Sequence, residues 1–179
     1  MKGPLSGWVA FGEEGLTYTF SGVTVPALTW DPIILTIRDL VSELVGCQFN
    51  FVLLNRYKDG TDKIGEHRDD EKDLVPKAPI ASLSLGAERD FIFRHVDARQ
   101  GKADIDPVTI PLTSGSLLVM RHPTNDVWYH SLPERRNVFS PRINLTFRVM
   151  VPPSATQKVP AFVIKTGSTT QWQADSAPI

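Results

Sequence analysis

The feature that most constrains the fold is an alternation of apolar and polar residues with a period of two, which begins after Cys47 and returns along most of the chain. Gly, Pro, Asn and Asp separate the alternating segments, as is typical of short strands joined by turns. Together with an aromatic-rich segment nearer the start, the predicted strands are 16–20, 48–57, 80–86, 90–95, 108–112, 115–120 and 142–150. So many short strands predict a mainly β (α+β) fold in which two sheets form a sandwich or jelly roll.

One helix is predicted between the first two of these strands. Asp31 precedes Pro32, which combines a good N-cap with proline at the first helical position. Apolar residues follow at spacings of three and four: Ile33, Ile37, Leu40, Val41, Leu44 and Val45. Gly46 then suits the left-handed conformation at a helix end. The apolar stripe predicts a helix that packs on a sheet.

The length of 179 residues fits one domain with a substantial core. We expect that domain to span 1–150, because Pro, Ser, Thr and Gln dominate residues 151–179 and predict a loosely ordered tail. The sequence predicts no membrane span, since no apolar run approaches about 20 residues. Its single Cys47 and the lack of an apolar secretory segment favour a reducing compartment, the cytosol or nucleus, and we expect a monomer. With a net charge of −1, a nucleic-acid partner would have to meet a local basic patch.

Three side chains have the types and spacing of a metal site. His67 and Asp69 stand two apart in a segment predicted to be extended, so both can reach one cation. His130 follows in another strand-like segment. Two imidazoles and one carboxylate are the ligand set of non-haem Fe(II) oxygenases, although catalytic zinc sites also use these residues. A charged surface turn is the alternative, because 66–72 reads EHRDDEK.

The last predicted strand carries a polar row that is costly to bury. Apolar residues alternate there with Arg142, Asn144, Thr146 and Arg148. Two guanidiniums on a buried face need an anion, and a dicarboxylic keto acid would suit an arginine at one end and a metal at the other. Asn55 and Tyr57, also two apart, are further candidate donors to such an acid. An edge strand with a solvated polar face is the alternative.

Five segments together resemble the AlkB family of Fe(II)- and 2-oxoglutarate-dependent dioxygenases, and in particular its DNA-repair branch. They are NFVLLNRYKDG (50–60), IGEHRDDE (64–71), PIASLSLGAERDFIFRH (79–95), HPTNDVWYHSLP (122–133) and PRINLTFR (141–148), and LTYTFSG (16–22) extends the resemblance. The HxD…H triad combined with RxNxTxR is the specific part. The resemblance covers about residues 11–150.

This resemblance implies a double-stranded β-helix (jelly roll) that binds Fe(II), 2-oxoglutarate and O₂. It implies that Fe(II) is held by His67, Asp69 and His130. It assigns 2-oxoglutarate to Asn55, Tyr57, Arg142, Thr146 and Arg148, with Asn144 lining the same pocket. The implied reaction converts 2-oxoglutarate to succinate, hydroxylates an N-methyl group on a base and releases formaldehyde.

The implied substrate is a flipped base in alkylated DNA, single- or double-stranded, such as 1-methyladenine or 3-methylcytosine. The base would lie near Tyr18, Phe20, Ser21, Asp70 and Glu71. The two acidic residues could favour a cationic methylated base, and the aromatic residues could stack on it. Arg94 and Lys102 are candidate DNA contacts, although Asp97, Asp104 and Asp106 offset the charge of their loop.

The sequence departs from the duplex-repair members at its beginning. Those members carry an upstream hairpin with an apolar finger that fills the gap left by the flipped base, and MKGPLSGWV does not match it. Either this chain lacks the finger or Trp8 and Val9 replace it. Three alternatives stay open: the same chemistry on single-stranded RNA or DNA, a catalytically silent nucleic-acid-binding jelly roll, and a cupin-like zinc hydrolase or isomerase.

Overall fold

The computed structural model describes residues 7–20 and 23–152, and these form a mostly antiparallel β structure with few helices. The elements in chain order are β1 (Gly7–Gly12), β2 (Thr17–Phe20), β3 (Val23–Pro26), α1 (Pro32–Val45), β4 (Phe51–Tyr57), β5 (Ile64–His67), β6 (Ile80–Gly86), β7 (Arg89–His95), α2 (Val96–Arg99), β8 (Val108–Leu112), β9 (Leu117–Met120), α3 (Thr124–Val127), β10 (Trp128–Leu132) and β11 (Arg142–Arg148). A five-stranded sheet has the order β1-β4-β11-β6-β9, and a four-stranded sheet has the order β5-β10-β7-β8. The predicted jelly-roll class is confirmed.

The helix α1 begins and ends where the sequence predicts. Asp31 Oδ1 accepts hydrogen bonds from the backbone N–H groups of Ile33 at 2.9 Å and Ile34 at 3.3 Å. Gly46 closes the helix in the left-handed region, with φ of 70°. The sequence did not predict β1, β3 or β5, which are short strands that owe their conformation to pairing with a neighbour.

The strand β1 pairs with β4 along its whole length. Trp8 lies opposite Asn55, and Val9 lies opposite Leu54. The ladder fixes the backbone of Trp8 and Val9, while the Trp8 side chain is 45% exposed, so the alternative that these residues replace the apolar finger stays open.

The strand β11 lies in the middle of the five-stranded sheet, between β4 and β6. On one face, Leu145 and Phe147 are fully buried and pack with α1 residues such as Val41. The opposite row is also buried, and it consists of Arg142, Asn144, Thr146 and Arg148. The alternative of an edge strand with a solvated polar face is therefore wrong for this strand.

A second apolar cluster fills the space between the two large sheets and borders this polar row. Its members are Tyr57, Ile80, Phe91, Phe93, Leu112, Met120 and Leu132. Burying these side chains against each other fixes the four-stranded sheet over the polar face of β11. The polar row thus faces an enclosed space rather than bulk water.

None of the helices within residues 7–20 and 23–152 combines the length and apolar character needed to cross a bilayer. Residues 153–179, the greater part of the expected tail, lie outside the described residues. The domain boundary at residue 150 stays a prediction.

Candidate active site

The structure brings the three predicted metal-binding residues together. His67 ends β5, and it lies directly opposite His130 where β5 pairs with β10. One ligand atom from each of His67, Asp69 and His130 lies within 4.8 Å of the others. Asp69 and His130 are each 4% exposed, so this cluster is not the charged surface turn that the sequence left open. Its donor set fits a non-haem Fe(II) ion.

Contacts around the two imidazoles orient them for metal binding. His67 Nδ1 lies 2.8 Å from the carbonyl oxygen of Gly65, which favours the tautomer with its proton at Nδ1. Nε2 of His67 then presents its lone pair towards Asp69, whose Oδ1 lies 3.7 Å away. The ring of Phe91 stacks on His130 with a centroid distance of 5.2 Å. Such outer contacts are the usual means of fixing a ligand's orientation.

The two oxygens of the Asp69 carboxylate face different partners: Oδ1 faces the His67 imidazole, and Oδ2 faces Arg148. Nη2 and Nε of Arg148 donate to Asp69 Oδ2 at 2.7 and 3.2 Å, and both side chains are almost fully buried. Burial by itself would raise the pKa of Asp69, but Arg148 and the two imidazoles hold that pKa below its usual range. Asp69 is therefore ionised, and its Oδ1 faces His67.

Arg142 lies at the other end of the polar row and has no ionic partner in the described residues. Its Nη2 donates to Ser84 Oγ at 2.8 Å and to Asn144 Oδ1 at 3.1 Å. Arg142 is 2% exposed, and no carboxylate in the described part of the chain pairs with its guanidinium. Its Nε also lacks a hydrogen-bond partner there. A buried cation in this state is suited to bind an anion.

A hydrogen-bond network connects the two arginines along β11. Asn144 Oδ1 accepts from Ser82 Oγ at 2.8 Å, and Asn144 Nδ2 donates to Thr146 Oγ1 at 2.7 Å. Asn144 also lies opposite Asn55 in the β4–β11 ladder. The amides and hydroxyls of this row are thereby held in fixed orientations on one face of the sheet.

Tyr57 contacts the same arginine from the neighbouring strand. It lies opposite Arg142 in the ladder, and its ring centroid is 5.2 Å from the guanidinium carbon. Burial raises the pKa of Tyr57, with Arg142 opposing the change, so the phenol stays neutral and can donate a hydrogen bond. Both Asn55 and Tyr57, which the sequence selected, thus border the polar row.

One cavity joins the metal cluster to this row. Its walls come from both large sheets and from β2: Tyr18, Leu53, Asn55, Tyr57, Ile64, His67, Asp69, Ser82, Phe91, Met120, His130, Asn144, Thr146 and Arg148. Arg142 is not in the wall itself but lies behind Asn144, to which it is bonded. The cavity therefore has the candidate metal cluster at one end. Behind its other end lies a cation without an ionic partner in the described residues. A keto acid with a second carboxylate would need both of these ends.

Tyr18, which lines this cavity, contacts Glu71. The hydroxyl of Tyr18 donates to Glu71 Oε1 at 2.9 Å, and the guanidinium of Arg148 lies 4.8 Å from the Tyr18 ring centroid. Burial and the nearby Asp69 carboxylate raise the pKa of Glu71. Asp70 is exposed, and with Glu71 it lines a second cavity of about 250 Å³, which shares Asp69 and Arg148 with the first.

Of the remaining predicted substrate residues, Arg94 and Lys102 line neither cavity. The side chain of Phe20 and the whole of Ser21 lie outside the described residues. Arg94 is exposed on β7, and its Nε lies 3.1 Å from Glu66 Oε1. Lys102 is exposed in the turn after α2.

Several residues that support the site were not predicted from the sequence. Ser82 and Ser84 bond to the polar row from β6. Their spacing of two in IASLSLG was a usable signal, because it puts both hydroxyls on one face of a predicted strand. Asn125 bonds to the backbone of Asp69 across 56 positions, and no pattern in the sequence signals a contact of that kind.

The chain matches the model of the 2OG-Fe(II) oxygenase superfamily over residues 4–148, and it therefore belongs to that family. More particularly, it is 60% identical over 141 residues to the human protein named DNA oxidative demethylase ALKBH2, covering 77% of this chain and 54% of that protein. It is 38% identical over 152 residues to the human alpha-ketoglutarate-dependent dioxygenase alkB homolog 3, covering 83% and 52%. The resemblance to the AlkB family is thus confirmed.

A solved structure titled "The structure of OsALKBH1" superposes with a TM-score of 0.56 at 19% identity, covering 79% of this chain and 77% of that one. At that identity the likeness shows the fold alone. The chain spans about half the length of the curated relatives that it matches.

Proposed function

We propose that this chain is an oxidative demethylase that removes methyl groups from 1-methyladenine and 3-methylcytosine in DNA, using Fe(II), 2-oxoglutarate and O₂. The observation that carries the proposal is one cavity with two different ends. A buried His–Asp–His cluster lies at one end. Arg142 lies behind the other end, and no carboxylate of the described residues pairs with it. The relatives named as DNA oxidative demethylases support DNA as the substrate.

In this proposal His67, Asp69 and His130 hold Fe(II). The chemistry that Fe(II) would supply here is activation of O₂, which is the oxidant. One oxygen atom would enter succinate as 2-oxoglutarate loses CO₂, and the other would hydroxylate the N-methyl group, whose hydroxymethyl product releases formaldehyde. Asp69 contributes the anionic ligand, and Arg148 keeps its second oxygen occupied so that Oδ1 faces the two imidazoles. Asp69 would therefore offer Oδ1 alone to the metal, because Arg148 holds Oδ2.

Arg142 and its neighbours would bind the far carboxylate of 2-oxoglutarate. Tyr57 can donate from its neutral phenol, and Asn55 and Thr146 border the path towards the metal. Asn144 orients Arg142 by accepting its hydrogen bond. Arg148 lies next to the metal cluster, where its charge would also favour the keto-acid end. A zinc hydrolase or isomerase has no use for this second, cationic end of the cavity.

The substrate side is proposed at Tyr18, Phe20, Ser21, Asp70 and Glu71. N-methylation gives the base a positive charge, and Glu71 presents a half-buried carboxylate whose Oε2 has no hydrogen-bond partner in the described residues. A donor on the base could satisfy that oxygen, and Tyr18 holds the carboxylate in place from the other side. Arg94 and Lys102 would contact phosphates beyond the pocket.

The test is decarboxylation of 2-oxoglutarate by the purified chain with and without Fe(II), and with methylated or unmethylated oligonucleotides. We expect turnover to require Fe(II) and to rise with 1-methyladenine or 3-methylcytosine in DNA. A larger rise with methylated single-stranded RNA would assign the chemistry to RNA instead. No Fe(II)-dependent decarboxylation under any condition would leave a silent binding module as the function.

This chain is expected to repair single-stranded DNA at least as well as duplex DNA. Flipping a base out of a duplex costs a few kcal/mol, and no segment before Ala10 matches the apolar finger that offsets this cost in the duplex-repair members. Glu66 also pairs with Arg94 and Arg99, which lowers the charge available to phosphates. Added salt should depress duplex activity further, because binding of the duplex rests on the few cations near Arg94, Lys102 and Arg135.

Formaldehyde release from matched single- and double-stranded oligonucleotides at two salt concentrations measures this preference. Arg94→Ala should reduce activity on both substrates, while Lys58→Ala, which removes an exposed cation that lines neither cavity of the site, serves as the matched control. A clear preference for duplex would contradict the prediction.

We further propose that the protein works as a monomer in the nucleus, where a DNA substrate is found. The named relatives are consistent with a role on DNA.

A further inference from the structure

We propose that Asn125 is a positioning residue that fixes the backbone of Asp69 and so sets the affinity of the metal centre. This inference rests on the proposed role of Asp69 as a metal ligand. Asn125 lies in α3, the short helix that directly precedes the strand carrying His130. It is therefore placed between the two parts of the chain that supply the metal ligands.

The contact between Asn125 and Asp69 is reciprocal. Asn125 Oδ1 accepts a hydrogen bond from the backbone N–H of Asp69 at 3.1 Å, and Asn125 Nδ2 donates to the backbone carbonyl of Asp69 at 2.5 Å. One primary amide thus satisfies both backbone groups of a single residue. This is the pairing that a neighbouring strand would normally provide.

Asp69 needs such a partner because the ladder stops before reaching it. The pairing of β5 with β10 includes His67 opposite His130, and β5 ends at His67. Asp69 is two residues further on, yet its backbone lies in a buried region where unpaired N–H and carbonyl groups are costly. The Asn125 amide supplies the hydrogen bonds that a paired strand would give, and it does so at the one proposed metal ligand that lies outside a strand.

A second contact joins the same two segments. Arg68, between the two ligands of the HxD motif, donates from Nη1 to the backbone carbonyl of Asp126 at 2.5 Å. The guanidinium of Arg68 also lies 5.0 Å from the ring centroid of Tyr129, the residue before His130. The HxD motif and the segment around α3 are therefore held together by a side chain from each: Asn125 from α3 and Arg68 from the motif.

Asn125 and Arg148 restrain different parts of Asp69. Arg148 binds the carboxylate through Oδ2, which fixes the rotation of the side chain. Asn125 binds the main chain, which fixes the position from which that side chain projects. Without the amide, Asp69 keeps its charge and its Arg148 partner but loses the restraint on its distance from His67 and His130. Loss of such an outer contact typically costs 10- to 100-fold in metal affinity or activity.

The experiment measures binding of Mn(II), a redox-inert substitute for Fe(II), to the full metal-free chain in the presence of 2-oxoglutarate. Asn125→Ala is expected to weaken Mn(II) binding by about 10-fold or more. Thr124→Ala is the matched control, because it changes the same helix and its hydroxyl forms no hydrogen bond within the described residues. The control should bind Mn(II) as the native chain does. Equal dissociation constants for Asn125→Ala and the native chain would overturn the proposal.

Thermal unfolding of the metal-free variants separates positioning from folding. Asn125→Ala and Thr124→Ala should unfold at similar temperatures without metal, while Mn(II) should raise the unfolding temperature less in Asn125→Ala. If Asn125→Ala does not fold, Asn125→Asp decides the matter. It keeps an acceptor for the Asp69 N–H but puts a carboxylate oxygen against the Asp69 carbonyl, so it too should bind Mn(II) more weakly.

His67→Ala distinguishes failure of this inference from failure of the proposed function. If native and His67→Ala chains bind Mn(II) equally, the proposed metal site is wrong, and the role of Asn125 falls with it. If only His67→Ala loses binding while both Asn125 variants retain native affinity, the metal site stands and the positioning role is rejected.

Discussion

Replacing Asp69 by asparagine is expected to abolish 2-oxoglutarate turnover, with a loss larger than the roughly 100-fold upper end seen for outer contacts of metal sites. Asparagine has nearly the same shape, but it removes the negative charge that would bind the proposed metal together with His67 and His130. It also leaves the buried guanidinium of Arg148 without its ionic partner. Breaking a buried pair in this way costs about 3–5 kcal/mol, so the variant should unfold at lower temperature as well.

Two further variants separate the loss of metal from the loss of stability. His67→Ala removes a ligand but leaves the Asp69–Arg148 pair intact, so it should lose turnover with a smaller change in unfolding temperature. Asp104→Asn changes an exposed carboxylate in the same way and should alter neither property. Decarboxylation at saturating Fe(II) and thermal unfolding are the two measurements. An Asp69→Asn chain that keeps more than about a tenth of native turnover would remove Asp69 from the proposed metal site.

Arg142→Ala is expected to raise the half-saturation concentration for 2-oxoglutarate by roughly 10- to 100-fold. Hydrogen bonds to charged groups contribute about 1.5–3 kcal/mol, and about 1.4 kcal/mol corresponds to a tenfold change in affinity. Arg142 is buried with no carboxylate partner in the described residues, so a bound acid would supply its counter-charge. Removing it should weaken binding of the acid more than it slows turnover at saturation.

The control for this variant is Arg136→Ala, which removes an exposed arginine paired with Glu134 and should leave the half-saturation concentration unchanged. Arg142→Lys should restore only part of the affinity, because an ammonium cannot make the planar two-point contact of a guanidinium. Steady-state decarboxylation over a range of 2-oxoglutarate concentrations gives both quantities. An unchanged half-saturation concentration in Arg142→Ala would contradict the assignment.

The parts of this fold that the sequence predicted are those with a local cause. The alternation around 142–148 identified β11 and the row that faces the cavity, since side chains two apart on a strand must share a face. Asp31 and Gly46 marked the ends of α1, because capping depends on residues next to the helix in the chain. The types and spacing of His67, Asp69 and His130 indicated a metal site, and the structure brings these residues together.

Other features depend on pairing between distant segments and left no local pattern. The strands β1 and β5 are short and form because β4 and β10 pair with them. The sequence put Arg142 and Arg148 on one face but could not assign them different partners. Only the folded chain shows Arg148 on Asp69 and Arg142 without an ionic partner in the described residues.

The sequence by itself determined the fold class, the polar face of β11 and the residue types of the metal site, because periodicity and ligand chemistry are properties of single segments. The tertiary structure alone decided how the site is held. Asn125 reaches the Asp69 backbone across 56 positions, and Ser84 reaches Arg142 across 58. Ser84 and Arg142 lie on the paired strands β6 and β11, and Asn125 and Asp69 adjoin the paired strands β10 and β5. Such hydrogen bonds depend on which distant strands pair, and a linear pattern carries no record of that pairing.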